Sequence, residues 1–363
     1  MTTGTLPFRS AAAVTADGLD DLLRTVGALA SGRVLHVEAT PIGTGQMAQS
    51  VRLAISYDGP SDGPSSLVGK FPSTDANSRR IGRSLRAYEI EVGFYRQLAT
   101  TVDVRSPHCL FVAFDPDTHD FVLLLEDLAP AEAGDQLEGC TPDFAARLLD
   151  EAIAFHAPRW GDPALEDIAW LNRSSPRTAT NMAGLVGSLL PGFIERFGPQ
   201  LDATVLSGLE LGMEHIERWW QGPGGPRTLF HGDLRLDNLL VDRDRAEVWV
   251  VDWQTLSLGN GVADVSYFIG GNILLEERRA TEVELVRGYY EGLRAAGVAD
   301  FSWDECWRLY RHGSWYGAFL TVAASMLVER TERGDRMFLT DLDRHVRHAL
   351  DLEAVEVIGS GGG

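Results

Sequence analysis

The chain has 363 residues, 44% hydrophobic and 23% charged, which suits a globular protein of two or three folding units and excludes a collagen, a disordered tail or a repeat array. Acidic residues outnumber Lys plus Arg by 52 to 32, giving a formal charge of -20, so a basic footprint for nucleic acid is not expected. Three scattered cysteines (Cys109, Cys140, Cys306), no signal-like start and no apolar run of membrane-spanning length lead to the expectation of a soluble, cytoplasmic chain without disulfides or a membrane partner.

In chain order, Val34 to Val68 reads as strands, with Val51–Tyr57 partly alternating and Ser66–Phe71 short and apolar across a turn-rich Asp58–Pro64. Gly43-Thr-Gly45 lies in the loop before the Val51 strand. A helix is expected from about Arg83 to Ala99, with Leu85, Tyr88, Val92, Tyr95 and Ala99 as its buried stripe. Glu91 falls inside that stripe, and an inward carboxylate needs a partner. The obvious one is Lys70 on the preceding strand. It is the only lysine in the chain, every other basic residue being arginine or histidine. A compact ammonium on a thin stem fits where a planar, forked guanidinium does not.

Phe121–Leu125 reads as a further strand, left through Glu126-Asp-Leu-Ala-Pro130. Beyond it the clearest helices are Phe144–His156, Leu201–Trp220, Glu282–Ala296 and Trp303–Val328. The boundary falls near Leu128–Gly139, so the expected organisation is residues 1–128, a β-rich N-terminal lobe; 129–358, a larger helical lobe; and 359–363, a flexible tail. Inside the second, Leu239–Val241 and Glu247–Val251 read as a β-hairpin that would set Asn238 beside Asp252. His231-Gly-Asp-Leu-Arg-Leu-Asp237 precedes it. Oxygen-bearing Asp233, Asn238 and Asp252 suit Mg²⁺, which prefers carboxylate, amide and water oxygens.

His231-Gly-Asp-Leu-Arg-Leu-Asp-Asn-Leu-Leu240 followed by Val250-Val-Asp-Trp-Gln254 resembles the catalytic-loop and metal-loop pair of the aminoglycoside phosphotransferase-like kinases. Gly45-Gln-Met47, Glu91–Tyr95, Leu124–Leu128 and Gly261–Phe268 bring the chain nearest to the ecdysteroid-kinase-like branch. The resemblance implies an α+β, two-lobed protein-kinase-like fold and an enzyme: a small-molecule kinase using ATP and Mg²⁺ to phosphorylate a hydroxylated small-molecule acceptor. It implies that Asp233 orients the acceptor hydroxyl and that Asn238 and Asp252 hold the metal. Lys70 contacts the α/β-phosphates and pairs with Glu91, and the loop at Gly43–Gly45 covers the phosphates. Glu126 and Leu128 offer backbone groups to the adenine edge. Asp264 braces the metal loop.

Departures narrow the substrate. Gly232 stands where protein kinases have Arg, and Trp253-Gln254 where they have Phe-Gly, which argues against a protein acceptor. Gly63 to Lys70 mimics a P-loop but has one residue too many, and Phe71 in place of Ser/Thr, so it is rejected. His231 reads as a structural hydrogen-bonding residue, Asp237 as a surface or turn residue, and His345 with His348 as members of a surface helix. The tryptophans read mostly as core, with those from Trp160 to Trp220, or Trp315 with Tyr316, as acceptor-pocket candidates. The histidine spacing gives no zinc motif. The acidic surface serves solubility and is compatible with cationic acceptors. The alternatives are a nucleotide-binding pseudokinase, against which the complete residue set counts, and a metal-dependent hydrolase, which would leave Lys70 without a purpose.

Overall fold

A computed structural model of the protein describes residues 6–43, 47–173 and 176–358. The chain divides into two compact units, one of Met1–Thr101, Arg105–Glu132 and Asp242–Thr255, the other of Val102–Val104, Ala133–Val241 and Leu256–Gly363. The first is β-rich and the second helical, as the expected fold class requires.

The first unit is built on an antiparallel five-stranded sheet of β1 (Val34–Ile42), β2 (Ala48–Tyr57), β3 (Ser66–Pro72), β4 (Cys109–Phe114) and β5 (Phe121–Glu126), in the order β1-β2-β3-β5-β4. On β3 the side chains alternate: Leu67 and Phe71 are buried in one core with Leu19 and Leu23 of helix α1 (Ala16–Thr25), while Lys70 projects to the opposite face. That second face is covered by α3 (Ala87–Gly93), which packs on β4 and β5.

The expected Arg83–Ala99 helix is interrupted. Its first part is α2 (Ala76–Ser84); Arg86 then takes a left-handed φ of 59°, and α3 runs on into a wider turn at Phe94–Leu98. The break removes Leu85 from the stripe and leaves it 52% exposed, whereas Tyr88, Val92 and Tyr95 are buried as expected. Tyr88 also anchors the sheet: its Oη donates to Met47 O at 2.5 Å, tying the start of β2 to α3.

In the second unit, short strands β7 (Asn172–Arg173), β8 (Thr228–Phe230) and β11 (Ser257–Gly259) accompany the helices; β6 (Glu132–Ala133) and β9 (Leu239–Asp242) each straddle a unit boundary, and β10 (Glu247–Val250) belongs to the first. The division between the units falls at Val241/Asp242, inside the stretch read as a hairpin. The helices are α4 (Pro142–His156), α5 (Pro176–Phe197), α6 (Ala203–Trp220), α7 (Val262–Asn272), α8 (Leu275–Ala295), α9 (Trp303–Gly313), α10 (Trp315–Leu327) and α11 (Glu332–Asp351). The single helix expected over Trp303–Val328 is two, parted at Ser314, whose Oγ donates to the Arg311 carbonyl at 2.7 Å. Trp315 is fully buried against Gly212 and is core, not a pocket wall.

The surface-helix reading of His345 and His348 is overturned, because both are fully buried on the inner stripe of α11 with Phe338, Leu342 and Val346. The many charged residues of α11 lie on its other face, which is what makes the helix look solvated in sequence. His345 stacks on Tyr267 with ring centroids 5.0 Å apart, and neither of its ring nitrogens has a partner among the described residues. Burial pushes its pKa down to about 3, and nearby His348, Arg344 and Arg278 act in the same direction. A folded-state value below the unfolded one, roughly 6.5, gives a contribution that is complete above that pH and lost as pH falls towards 3. At about pH 5 the loss is about 2 kcal/mol. Urea unfolding of wild type and His345→Phe at about pH 8 and pH 5 is therefore expected to show the stability difference moving by that amount in favour of the variant. A difference independent of pH would mean that the imidazole is not held neutral.

Candidate active site

Within the first unit, Lys70 Nζ donates to Glu91 Oε1 at 2.7 Å and to Asp252 Oδ1 at 2.8 Å. Its side chain is 12% exposed and that of Glu91 only 2%, so the ammonium is clamped by two carboxylates with little water to compete. Burial would by itself lower the Lys70 pKa, but Asp252 and Glu91 together outweigh it and hold the value above that of an ordinary lysine. Burial likewise pushes the Glu91 carboxyl up, with Lys70 pulling the other way. The cluster brings together three residues distant in sequence, and the pairing of Lys70 with Glu91 is present as the chain pattern suggests.

Asp252 sits at φ 66°, a left-handed conformation unusual for a residue other than glycine and one that recurs where function dictates the backbone. The next residue helps to hold it there. Trp253 is fully buried and stacks on Phe94 with centroids 3.8 Å apart and planes 10° from parallel. Phe94 directly follows α3, the helix carrying Glu91. The large flat ring of Trp253 thus locks Asp252 to the Glu91 helix.

Two expected nucleotide contacts can be judged from the backbone. Glu126 N–H is spent on His108 O at 2.8 Å, and Leu128 O accepts from Ala131 N–H at 2.9 Å, while Leu128 N–H makes no hydrogen bond among the described residues. Leu128 is therefore able to donate to a ligand edge, and Glu126 has no N–H to offer. A bidentate pair that no sequence pattern marks sits between them: Arg52 Nε and Nη2 reach Asp127 Oδ2 and Oδ1 at 2.7 and 3.1 Å. Gly43 has φ 72°, which only glycine adopts without strain, and a side chain there would meet open space. Gly45 lies outside the described residues.

In the second unit, the loop His231–Asp233 leaves β8. Gly232 adopts φ 78°, which accounts for glycine at this position. Asp264, in the first turn of α7 and fully buried, accepts from His231 N–H at 2.7 Å through Oδ2 and from Gly232 N–H at 2.9 Å through Oδ1. Its bonds thus go to the loop bearing Asp233 rather than to the metal loop expected of it. His156 Nε2 lies 3.3 Å from the same Oδ2 and its Nδ1 2.8 Å from Tyr289 Oη, extending the brace into α4 and α8. His231 is fully buried, and its Nδ1 accepts from Asp233 N–H at 3.2 Å.

Both oxygens of Asp233 are engaged. Asn238 Nδ2 donates to Oδ2 at 2.7 Å and to the Asp233 carbonyl at 2.8 Å; Tyr267 Oη donates to Oδ1 at 3.3 Å; Arg235 Nε lies 3.0 Å from Oδ1. Burial pushes the Tyr267 phenol well up, so it remains a neutral donor. Asn238 spends its amide hydrogens on Asp233, which leaves its carbonyl oxygen as its acceptor; like the Asp252 carboxylate of the first unit, this is a hard oxygen of the kind Mg²⁺ takes. No group of three or more His, Cys, Asp or Glu able to hold a metal occurs among the described residues. Asp237 is a turn residue, as one of the two readings had it, but half-buried: it accepts from Gln136 N–H, Arg235 and Arg333, which tie the turn to the Gln136 loop and to α11.

Arg235, Tyr267 and Asn272, whose Oδ1 accepts from Leu236 N–H at 3.0 Å, have no role assigned from sequence. Tyr267 stands inside the Gly261–Phe268 run, which is a usable signal. Arg235 gives none, since arginine is nearly the only cation this chain uses.

No helix among the described residues is long and apolar enough to cross a membrane. A segment of 94 residues is 36% identical to the mouse acyl-CoA dehydrogenase family member 10, covering 25% of this chain and 9% of that protein's length. Among solved structures, choline kinase from Cryptosporidium parvum Iowa II superposes with a TM-score of 0.56 at 9% identity, over 89% of this chain and 91% of that one. The GDP complex of wild-type aminoglycoside 2'-phosphotransferase-IIIa gives 0.53 at 15% identity, over 90% and 96%. These likenesses establish a protein-kinase-like fold. The profile of the APH family matches residues 61–305, more than half of the chain, and the chain therefore belongs to this phosphotransferase enzyme family.

Proposed function

We propose that the protein is a small-molecule kinase that transfers the γ-phosphoryl group of ATP to an alcohol. The observation that carries the reading is the chain's one lysine, held by Glu91 and Asp252 at 2.7 and 2.8 Å. Phosphoryl transfer is mostly positioning and charge stabilisation, and a paired lysine beside a metal-binding carboxylate supplies both. The acceptor oxygen forms a bond to the γ-phosphorus as the bond to the β–γ bridging oxygen breaks, ADP leaves, and the hydroxyl proton passes to Asp233. Lys70 steadies the nucleotide phosphates, the Leu128 N–H binds the base edge, and Gly43 lets the loop approach the phosphates. Asn238 and Asp252 would hold Mg²⁺, which when bound offsets charge on the phosphates.

Choline kinase and the aminoglycoside phosphotransferase suggest acceptor classes to include in a first screen, beside steroid-like, macrolide, polyol and hydroxyacyl compounds. ATP consumption with Mg²⁺ across that panel, run beside Asp233→Asn, tests the reading. Turnover on one class, absent in the variant, is the expected result; Mg²⁺-ATP binding with no turnover on any class would favour a nucleotide-sensing pseudokinase.

Lys70→Arg keeps the charge but adds a planar fork in a space enclosed by two carboxylates. The variant is expected to fold, with nucleotide affinity or kcat lowered roughly 10- to 100-fold. Calorimetric titration with Mg²⁺-ATP and a thermal melt check this; wild-type affinity would show that any cation suffices.

A further inference from the structure

Asp233 is ion-paired within its own loop, which is unusual for a residue expected to greet an incoming hydroxyl. Arg235 Nε faces it at 3.0 Å, while Nη1 of the same guanidinium reaches Asp237 at 3.1 Å and Gln136 Oε1 at 2.9 Å. The far side of this clamp is rigid. Gln136 is 1% exposed and donates through Nε2 to Asp341 Oδ1 at 2.8 Å, and Asp237 is also held by Arg333 at 3.2 Å, which in turn reaches Asp135 at 3.3 Å. Arg235 and Asp233 are each 20% exposed at the side chain, so the pair remains accessible to a ligand. In a chain of formal charge -20, Asp233 does not stand as a free carboxylate: it, Asp237 and Asp135 share two guanidiniums, Arg235 and Arg333.

We infer that Arg235 is a positioning residue for Asp233 and that it sets acceptor class, selecting alcohols that carry no cationic group. This rests on the kinase reading above. A cationic acceptor binds best where carboxylates are unpaired; here it would have to approach a guanidinium already seated on the reactive aspartate. A neutral or anionic alcohol meets no such repulsion. Only a planar fork can span Asp233 on one edge and Asp237 with Gln136 on the other, so the role belongs to arginine rather than to positive charge alone.

The test compares wild type, Arg235→Gln, Arg235→Lys and Asp233→Asn on a matched panel of polyols, hydroxy acids, and amino or quaternary-ammonium alcohols. The expected wild-type order places a polyol or hydroxy acid first. Arg235→Gln is expected to lower kcat on it about tenfold, leave the KM for ATP unchanged, and raise the preference for ammonium alcohols about tenfold. Arg235→Lys should restore the charge preference but not the full kcat. Wild-type preference for an ammonium alcohol, no turnover of any neutral or anionic member, or unaltered selectivity in Arg235→Gln would each overturn the inference. If no member of the panel is phosphorylated, it is the kinase assignment that fails; if Asp233→Asn keeps wild-type turnover, the role of Asp233 falls and this inference with it; if that variant is inactive and selectivity ignores Arg235, only the present inference does.

Discussion

Asp233→Asn is expected to bind Mg²⁺-ATP near normally and to lose roughly 100- to 10,000-fold in kcat, the range typical for loss of a positioned acid–base group. The geometry adds a second, smaller effect. Asn238 Nδ2 and Tyr267 Oη donate hydrogens to this carboxylate, and Arg235 Nε lies beside it as an ion pair. An amide has one acceptor oxygen, so its NH₂ must face at least one of those donors. A stability cost of about 1–3 kcal/mol follows from the unsatisfied contact. Single-turnover kinetics beside a denaturant titration separates the two effects, since a loss of folded protein scales the amplitude and not the rate. Wild-type kcat in the folded fraction would remove Asp233 from the reaction.

Asp264→Ala should be the most damaging change to the fold of the second unit. Its carboxylate, fully buried, is the acceptor for the N–H groups of both His231 and Gly232 and lies against His156 Nε2. Alanine leaves two buried backbone donors without partners, each costing about 1–3 kcal/mol, and a total destabilisation of about 3–5 kcal/mol is expected. Asp264→Asn keeps one acceptor and should cost less. A shift of the urea midpoint with unchanged slope checks the order; equal stability of both variants with wild type would mean that water takes over the N–H groups. Because these two peptides set the direction in which the next residue points, turnover is expected to fall further than the folded fraction does.

What can be read in the sequence follows the length scale of the signal. Lys70 and Glu91 pair on strand alternation and a helical stripe, both local patterns with a fixed period. The same logic fails at Leu85, because the turn at Arg86 resets the helical phase, and no residue type there announces it. Helix α7 escapes periodicity because it is buried nearly all round, so it has no polar face to mark it. Asp264 stands out in sequence, but its partners lie more than 30 positions back along the chain, and nothing in its neighbours says which loop it holds. His345 misleads for the opposite reason, as charged neighbours on α11 mask a narrow inner stripe. The Arg235 clamp depends on separate segments meeting, a fact of tertiary packing alone.

A protein with one lysine has one ε-amine, and here that amine sits at the proposed reaction centre rather than on a loop. Lysine-directed acylation, ordinarily a scatter of surface labels, has one side-chain target on this chain, with the α-amine as its only rival among amines. Since Glu91 and Asp252 keep the ammonium protonated and shielded, side-chain modification is slow by default and speeds up only when the clamp opens. The extent of labelling on the peptide that carries Lys70 then reports the molecules whose clamp opens, with no mutation and no fluorophore.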